Sequence, residues 1–311
     1  MKIGLIGRTS LLLETGKLLH QTGFDIGFVI TSKEAPEYDV KSTDFKDFAR
    51  EMNCSFLHDP SIDRKKIKEL IAEQNIPLVI SINYSGVISE EVTDLFPLGI
   101  LNAHGGDLPR YRGNACQAWA IINGENQIGL CIHRMVGGEL DSGDILDRKY
   151  YPISLNTRIG EIYQRFEGDI PQMFLKVVNK LKVDSEFVLE SQSKDSKDAL
   201  RCYPRRPEDG RIDWKDHAKV IVRLINASSE PFNGAYCYDQ KGQKVTIWRA
   251  VVHPCDENYL AVPGQISSID SISGNMVLIT GNGKILVEQI EVVGKRMKPS
   301  EFFKSIRSRL I

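Results

Sequence analysis

Long apolar runs are missing from this 311-residue chain: no stretch approaches the eighteen or so consecutive apolar residues of a membrane-spanning helix, so no membrane partner is expected. An excess of one charge is missing too. Lys and Arg number 40 against 41 Asp and Glu, a net charge of −1, and nothing builds the basic field of a protein that holds nucleic acid through its phosphates. Local cations at Arg201, Arg205 and Arg206, and at Lys295, Arg296 and Lys298, read as solvated surface. Cysteine is sparse: Cys54, Cys116, Cys131, Cys202, Cys237 and Cys255 lie scattered with no Cys-x-x-Cys spacing. That argues against a disulfide framework or a zinc site and fits free thiols in a reducing cytoplasm. Met1 to Gly7 is too soon interrupted to be a signal peptide. The expected location is cytoplasmic, with no metal. Gly4 and Gly7 do not complete Gly-x-Gly-x-x-Gly and read as a tight strand-to-helix turn, so neither nicotinamide nor flavin is expected.

What is present is an ordinary soluble composition, 41% hydrophobic and 26% charged, in a chain long enough for about two domains. The first half alternates strand and helix patterns. Lys2 to Ile6 reads as a strand, Ser10 to Thr22 as a helix, Asp25 to Thr31 as a strand and Ser42 to Met52 as a helix. Ser61 to Gln74 reads as a charged helix, Pro77 to Ile82 as a buried strand, Ser89 to Phe96 as a helix and Gly99 to Ala103 as a strand. After a strand near Arg148 to Ile153, a long helix is expected from Arg158 to about Lys182, then a polar segment over 183–202 that reads as a linker or an ordered crossover. The last hundred residues give one helix, His217 to Ala227, and short alternating segments separated by turns at 239–242 and 281–283. These patterns predict an α/β protein: a Rossmann-like, mostly parallel sheet with flanking helices, followed by a smaller C-terminal β-barrel-like (OB-type) domain. The expected division is 1–203, with the linker from about 183, and 204–311.

Ligands of such sheets sit at the carboxyl ends of the strands. Two segments fall there, Ser81 to Gly86 and Asn102 to Gly106. The second opens the run Asn102-Ala103-His104-Gly105-Gly106-Asp107-Leu108-Pro109-Arg110-Tyr111-Arg112-Gly113, answered downstream by Asp141-Ser142-Gly143-Asp144-Ile145. Taken singly, a His after an apolar run reads as a satisfied core residue and an Asp beside Gly as a turn. Together on one sheet rim they can carry acyl transfer. The amide can hold a carbonyl oxygen, the imidazole can take a proton from a nucleophile, and the carboxylate can fix the imidazole's tautomer.

Asn102-x-His104, Leu108-Pro109-x-Tyr111-Arg112-Gly113, Trp119-Ala120-Ile121-x-Asn123-Gly124-Glu125 and Asp141-Ser142-Gly143-Asp144-Ile145 resemble, in that order, the formyltransferases that use N10-formyltetrahydrofolate. Arg206-Pro207-Glu208-Asp209-Gly210-x-Ile212-Asp213-Trp214 and Pro231-x-Asn233-Gly234-Ala235 resemble the entry to that family's C-terminal domain, and Pro263-Gly264, Thr280-Gly281-x-Gly283 and Gly294-Lys295 its later turns. The resemblance implies Asn102, His104 and Asp141 as catalytic residues. His104 would take a proton from an attacking amine, Asn102 would donate to the formyl oxygen as it gains charge, and Asp141 would act through His104 and an ordered water. It implies a folate pocket from the loop holding Ile82, Asn83, Tyr84, Gly86 and Val87, closed by the loop holding Met135, Gly138 and Leu140.

Two departures from the family pattern stand out. Gly105-Gly106-Asp107 replaces a bulkier, Ser-containing stretch, and Val136-Gly137-Gly138-Glu139 is a residue long. Asp107 reads equally as a holder of the amine or as a turn residue. Two members share the two-domain plan, one formylating methionyl-tRNA and one an amino group of a nucleotide-linked sugar. The tRNA enzymes carry a basic insertion in the first domain. Here Thr31 to Asp47 holds Glu34, Glu37, Asp39, Asp44 and Asp47 against Lys33, Lys41 and Lys46, which favours the sugar. A nucleotide-activated 4-amino-4,6-dideoxy sugar of the surface-polysaccharide kind, such as one on a pseudaminic-acid route, is the expected acceptor. Tyr111, Arg112, Arg205 and Arg206 are candidates for its phosphates, each with a structural reading beside it. A homodimer is compatible with this plan. Methionyl-tRNA formylation, hydrolysis of the formyl donor and a catalytically silent folate-binding module stay open as alternatives.

Overall fold

The computed structural model describes residues 1–34, 38–71 and 74–311. Glu37 in the acidic stretch, and two residues near the end of the expected helix Ser61 to Gln74, lie outside the described residues. The chain divides into two compact units. One comprises 1–113, 129–151 and 164–202; the other comprises 114–128, 152–163 and 203–311.

The first unit is built on a seven-stranded sheet. Its strands are β1 (Lys2–Gly7), β2 (Asp25–Thr31), β3 (Ser55–His58), β4 (Leu78–Ile82), β5 (Gly99–His104), β7 (Gln127–Arg134) and β8 (Ile145–Pro152), in the order β3-β2-β1-β4-β5-β7-β8. The pairs from β3 through β5 are parallel, and β7 turns antiparallel against β5. Helices α1 (Ser10–Gln21), α2 (Ser42–Glu51), α3 (Arg64–Leu70) and α4 (Glu90–Thr93) connect the parallel strands. β4 is buried along its whole length, as expected of a parallel strand covered on both faces, which therefore reads as a continuous apolar run. Ile6, Phe28, Ile30, Val79 and Ile100 are fully buried in one cluster, and each such side chain contributes about 1.5–3 kcal/mol. Residues 159–183 form α6 (Ile159–Val183), one residue later at each end than the sequence pattern suggested.

The 127–134 strand was not legible in the sequence. Gly129 interrupts it, and a Cβ there would lie 2.8 Å from the Asp107 Cα. Tertiary approach, and not strand propensity, selects glycine at that point. The two residues of β6 (Arg112–Gly113) pair in parallel with β9 (Arg201–Cys202), so the segment 183–202 is ordered against the first unit.

In the second unit, α5 (Cys116–Asn123) and α7 (Ala218–Ser228) accompany an antiparallel sheet. Its strands are β10 (Ala235–Tyr238), β11 (Lys244–His253), β12 (Ile266–Ile269), β13 (Met276–Ile279), β14 (Lys284–Val292) and β15 (Lys295–Met297). They run β10-β11-β14-β13-β12, with β15 on β14. α8 (Pro299–Phe302) follows, and the final residues reach both edges: Leu310 bridges Asp239 beside β10, and Arg309 bridges Gln265 beside β12. Val222, Ile225, Cys237, Val245, Ile247, Leu278, Ile285 and Ile290 fill the interior.

Candidate active site

β5 delivers Asn102 and His104 at its carboxyl end, and period-two alternation puts both on one face of the sheet. The antiparallel register places His133 of β7 opposite Asn102. Asp141 arrives on the loop between β7 and β8 in the left-handed region, φ 49°, a conformation that aspartate adopts more readily than most residues but that still carries a backbone cost. Asn102, His104 and Asp141 are therefore brought together around His133, a residue the sequence reading did not single out. Its signal was available only as one polar side chain ending an apolar run, Leu130-Cys131-Ile132-His133.

His104 is 6% exposed. Its Nε2 lies 2.6 Å from the Tyr111 carbonyl oxygen, which can only accept, so the neutral ring carries its proton on Nε2. Nδ1 faces Asp141 Oδ2 at 3.5 Å, too far for a good hydrogen bond. A proton arriving on Nδ1 would meet an acceptor at once, so the surroundings are complementary to the imidazolium. Burial opposes that charge and pushes the His104 pKa down, with the Asp141 carboxylate pulling the other way. Burial pushes Asp141 up, but the imidazoles of His104 and His133 together with the Gly113 N–H outweigh it and hold the carboxyl below its ordinary range. The resting pair is thus a carboxylate beside a neutral imidazole.

The carboxylate is anchored through one oxygen, and its other oxygen faces a histidine ring. Gly113 N–H donates to Oδ2 at 2.9 Å, and His133 Nε2 stands 3.4 Å from Oδ1. His133 Nδ1 donates to the Arg134 carbonyl at 3.1 Å, which leaves Nε2 to accept from Asn102 Nδ2 at 3.2 Å. An amide nitrogen carries two hydrogens; the second is left for another acceptor. Among the described residues no group of three or more His, Cys, Asp or Glu is arranged to hold a metal ion, this one included.

The two loops expected to take folate touch one another, Gly138 N–H donating to the Ile88 carbonyl at 3.2 Å. Ile82 is buried at the end of β4 and Asn83 adopts φ 52°. The half-buried Tyr84 donates to the Asp59 carbonyl at 2.7 Å, and burial pushes its phenol up to about 12. A Cβ on Gly86 would lie 2.4 Å from the Pro60 carbonyl oxygen. Met135 N–H is tied to the Ile100 carbonyl at 2.7 Å. Val87 (83% exposed), Val136 and Leu140 present bare apolar surface on these loops.

The proposed acceptor-binding residues have other partners. Asp107 is ion-paired with Arg148, which also donates to the Leu108 carbonyl at 2.8 Å and to Glu190 at 3.0 Å. Tyr111 is buried and offers its carbonyl to His104. Arg112 donates twice to the Gln192 Oε1, at 3.2 and 2.8 Å. In the second unit, the Arg205 guanidinium donates to the Ala227 and Asp209 carbonyls and stacks over Trp119. Arg206 is exposed, with its backbone N–H on Asp209.

With the fold and this constellation in place, comparison with known proteins places the chain in a class. It belongs to the formyl transferase family: residues 1–178 match the formyl transferase domain and residues 205–307 the formyl transferase C-terminal domain. Among solved structures it resembles HypX from Aquifex aeolicus in complex with tetrahydrofolic acid, at 17% identity and a TM-score of 0.62 over 97% of this chain. The chain spans 46% of HypX. An N-formyltransferase from Helicobacter canadensis, in complex with folinic acid and dTDP-3-aminofucose, is 16% identical with a TM-score of 0.65, covering 93% of this chain and 99% of its own. A 4-N formyltransferase from Francisella tularensis is 19% identical with a TM-score of 0.61, covering 79% and 96%. At these identities the likeness is one of fold.

Proposed function

We propose that the chain transfers a formyl group from N10-formyltetrahydrofolate to the amino group of a nucleotide-linked amino-deoxy sugar. The observation that carries this reading is the convergence of Asn102, His104 and Asp141 on one sheet rim, in a chain of the formyl transferase family. The amine nitrogen bonds the formyl carbon and sheds a proton to His104 Nδ1, where Asp141 and the Tyr111 carbonyl then hold the imidazolium from both sides. The free N–H of Asn102 meets the oxygen as it gains charge; one such donor is worth roughly a hundredfold in rate. The proton on His104 is available to the departing N10 nitrogen, so the proton count closes.

The donor fits the chain's own residues. Val87, Val136 and Leu140 lie bare on two hydrogen-bonded loops, the second of which leads into Asp141, and a flat heterocycle would cover that surface. Ile82, Asn83, Tyr84, Gly86, Met135 and Gly138 would frame it chiefly through their backbone. The folinic acid and tetrahydrofolic acid bound in the Helicobacter canadensis and Aquifex aeolicus proteins support this reading.

For the acceptor, the sugar reading rests on the balanced charge and on the dTDP-3-aminofucose bound in the Helicobacter canadensis protein. We place the sugar on a surface-polysaccharide route and the reaction in the cytoplasm, where the six free thiols would stay reduced. Among the described residues no helix is long and apolar enough to cross a membrane. The deciding experiment supplies the formyl donor with a panel of nucleotide-linked amino sugars, with methionyl-tRNA, or with no acceptor. Formylated amino sugar by mass spectrometry is the expected product. Formyl-methionyl-tRNA would move the reading to the tRNA enzyme, and release of tetrahydrofolate without any amine would move it to a hydrolase.

A further inference from the structure

The segment 183–202, which reads in the sequence as a linker or an ordered crossover, carries a buried amide whose every hydrogen-bonding atom is used. Gln192 is 8% exposed. Its Nε2 donates to the Asp141 carbonyl at 2.9 Å and to the Gly143 carbonyl at 2.6 Å. Its Oε1 accepts both contacts from the Arg112 guanidinium. Arg112 precedes Gly113, whose N–H holds the Asp141 carboxylate. One side chain thus fastens the backbone of Asp141 from one side and, through Arg112, the loop that fastens its carboxylate from the other.

The amide is itself fixed along the chain. The Ile145 N–H donates to the Glu190 carbonyl at 2.8 Å, and the Arg112 N–H donates to the Leu200 carbonyl at 2.9 Å. Gln192 therefore hangs between two backbone anchors. A glutamine donates two hydrogens and accepts on its oxygen, and here both functions are aimed at the two loops that meet at Asp141. A left-handed aspartate needs such restraint.

We propose that Gln192 is a positioning residue for the reaction, holding Asp141 in register with His104. This rests on the catalytic reading of Asp141 and His104 given above, and it adds a residue remote from the reacting atoms. An ångström of misplacement at such a site costs on the order of a hundredfold in rate.

Gln192→Ala should lower kcat tenfold or more while the KM for the formyl donor stays within about twofold. Gln192→Glu separates anchoring of Arg112 from restraint of Asp141. It keeps the acceptor for Arg112 but sets a carboxylate oxygen against the Asp141 and Gly143 carbonyls. It should therefore be as impaired as Gln192→Ala, and recovery to wild-type turnover would overturn the proposal. A second readout needs no substrate: the side-chain NMR titration of His104, assigned with His104→Ala. Asp141 and His133 are the titratable groups facing that ring. Gln192→Ala should move the His104 midpoint downward, the direction in which Asp141→Asn moves it; an unmoved midpoint overturns the proposal. Should Gln192→Ala not fold, Arg112→Gln breaks the same linkage from the other side, and the same two outcomes apply. A wild-type chain that formylates no amino sugar, yet shows the shifted titration in Gln192→Ala, would retain the positioning role and end the substrate reading.

Discussion

Asn102 and His133 face each other across the antiparallel pair of β5 and β7, with Asn102 Nδ2 3.2 Å from His133 Nε2. The Arg134 carbonyl takes the other ring nitrogen's proton, so the lone pair on Nε2 is committed to the amide and sets its rotation. An amide held this way can keep its second N–H aimed at a carbonyl oxygen without reorganising during the reaction.

His133→Phe should therefore lower turnover by about tenfold to a hundredfold, since the Asn102 amide would lose its rotational anchor. The ring is 1% exposed, so an added loss of about 1–3 kcal/mol in stability is expected from the unpaired amide and carbonyl left behind. Steady-state kinetics and a denaturant melt separate the two effects. Turnover equal to wild type would remove His133 from the site.

His104→Ala should abolish transfer with the fold intact, as judged by circular dichroism. The pH profile carries a sharper test. A base whose pKa lies near the usual imidazole value, about 6.5, would give an activity still rising through neutrality. Burial lowers the His104 pKa, so kcat/KM should already be level near pH 7 and fall only on further acidification. A limb centred above pH 7 would contradict the burial argument.

Stability should also decline in acid. His104 and Asp141 both have folded-state pKa values below their unfolded ones, so the unfolded chain binds more protons in each window. Their contribution is complete above about pH 6.5. It is lost first through His104 as the pH drops below that point, and then through Asp141 below about pH 4. Chemical denaturation between pH 8 and 4 should show the decline, with a smaller one in His104→Ala.

Gly106→Ala tests the departure from the family pattern after the histidine. A Cβ at Gly106 would lie 2.6 Å from His104 Nε2 and 2.4 Å from the Tyr111 carbonyl oxygen, inside the hydrogen bond that fixes the ring. The variant should lose most of its activity, on the order of a hundredfold.

Asp107 distinguishes a structural carboxylate from one that binds the amine. Because it is paired with the mostly buried Arg148, Asp107→Asn should cost about 1–2 kcal/mol of stability, less than a fully buried pair would. The KM for the amine should not change. A raised KM with unchanged melting would return Asp107 to the acceptor site.

Much of this was legible before the fold was known. Apolar runs such as Leu78 to Ile82 announce buried parallel strands, and the alternation of strand and helix places Asn102 and His104 on the carboxyl rim. Asp141 was found through its neighbours Ser142-Gly143-Asp144, although nothing local says that it reaches back to His104. Arg112 was proposed for phosphate and also read as a loop anchor; its bonds to Gln192 follow the second reading. His133 and Gln192 left no local signal. A histidine at the end of an apolar strand and a glutamine in a polar linker are unremarkable until register and chain crossing bring them to Asp141.

The order of residues by itself determined which segments become strands and helices, because hydrophobic periodicity is a local property of the chain. It also supplied the three polar groups from which the proposed chemistry is built. Tertiary structure alone decided which atoms face one another: which nitrogen of His104 bears its proton, what turns the Asn102 amide, and what holds a left-handed Asp141 in place. The first follows from a contact 7 residues along the chain and the others from pairing between positions 28 to 80 residues apart, and hydrogen-bond direction at such contacts is set by packing and burial, which no local pattern encodes.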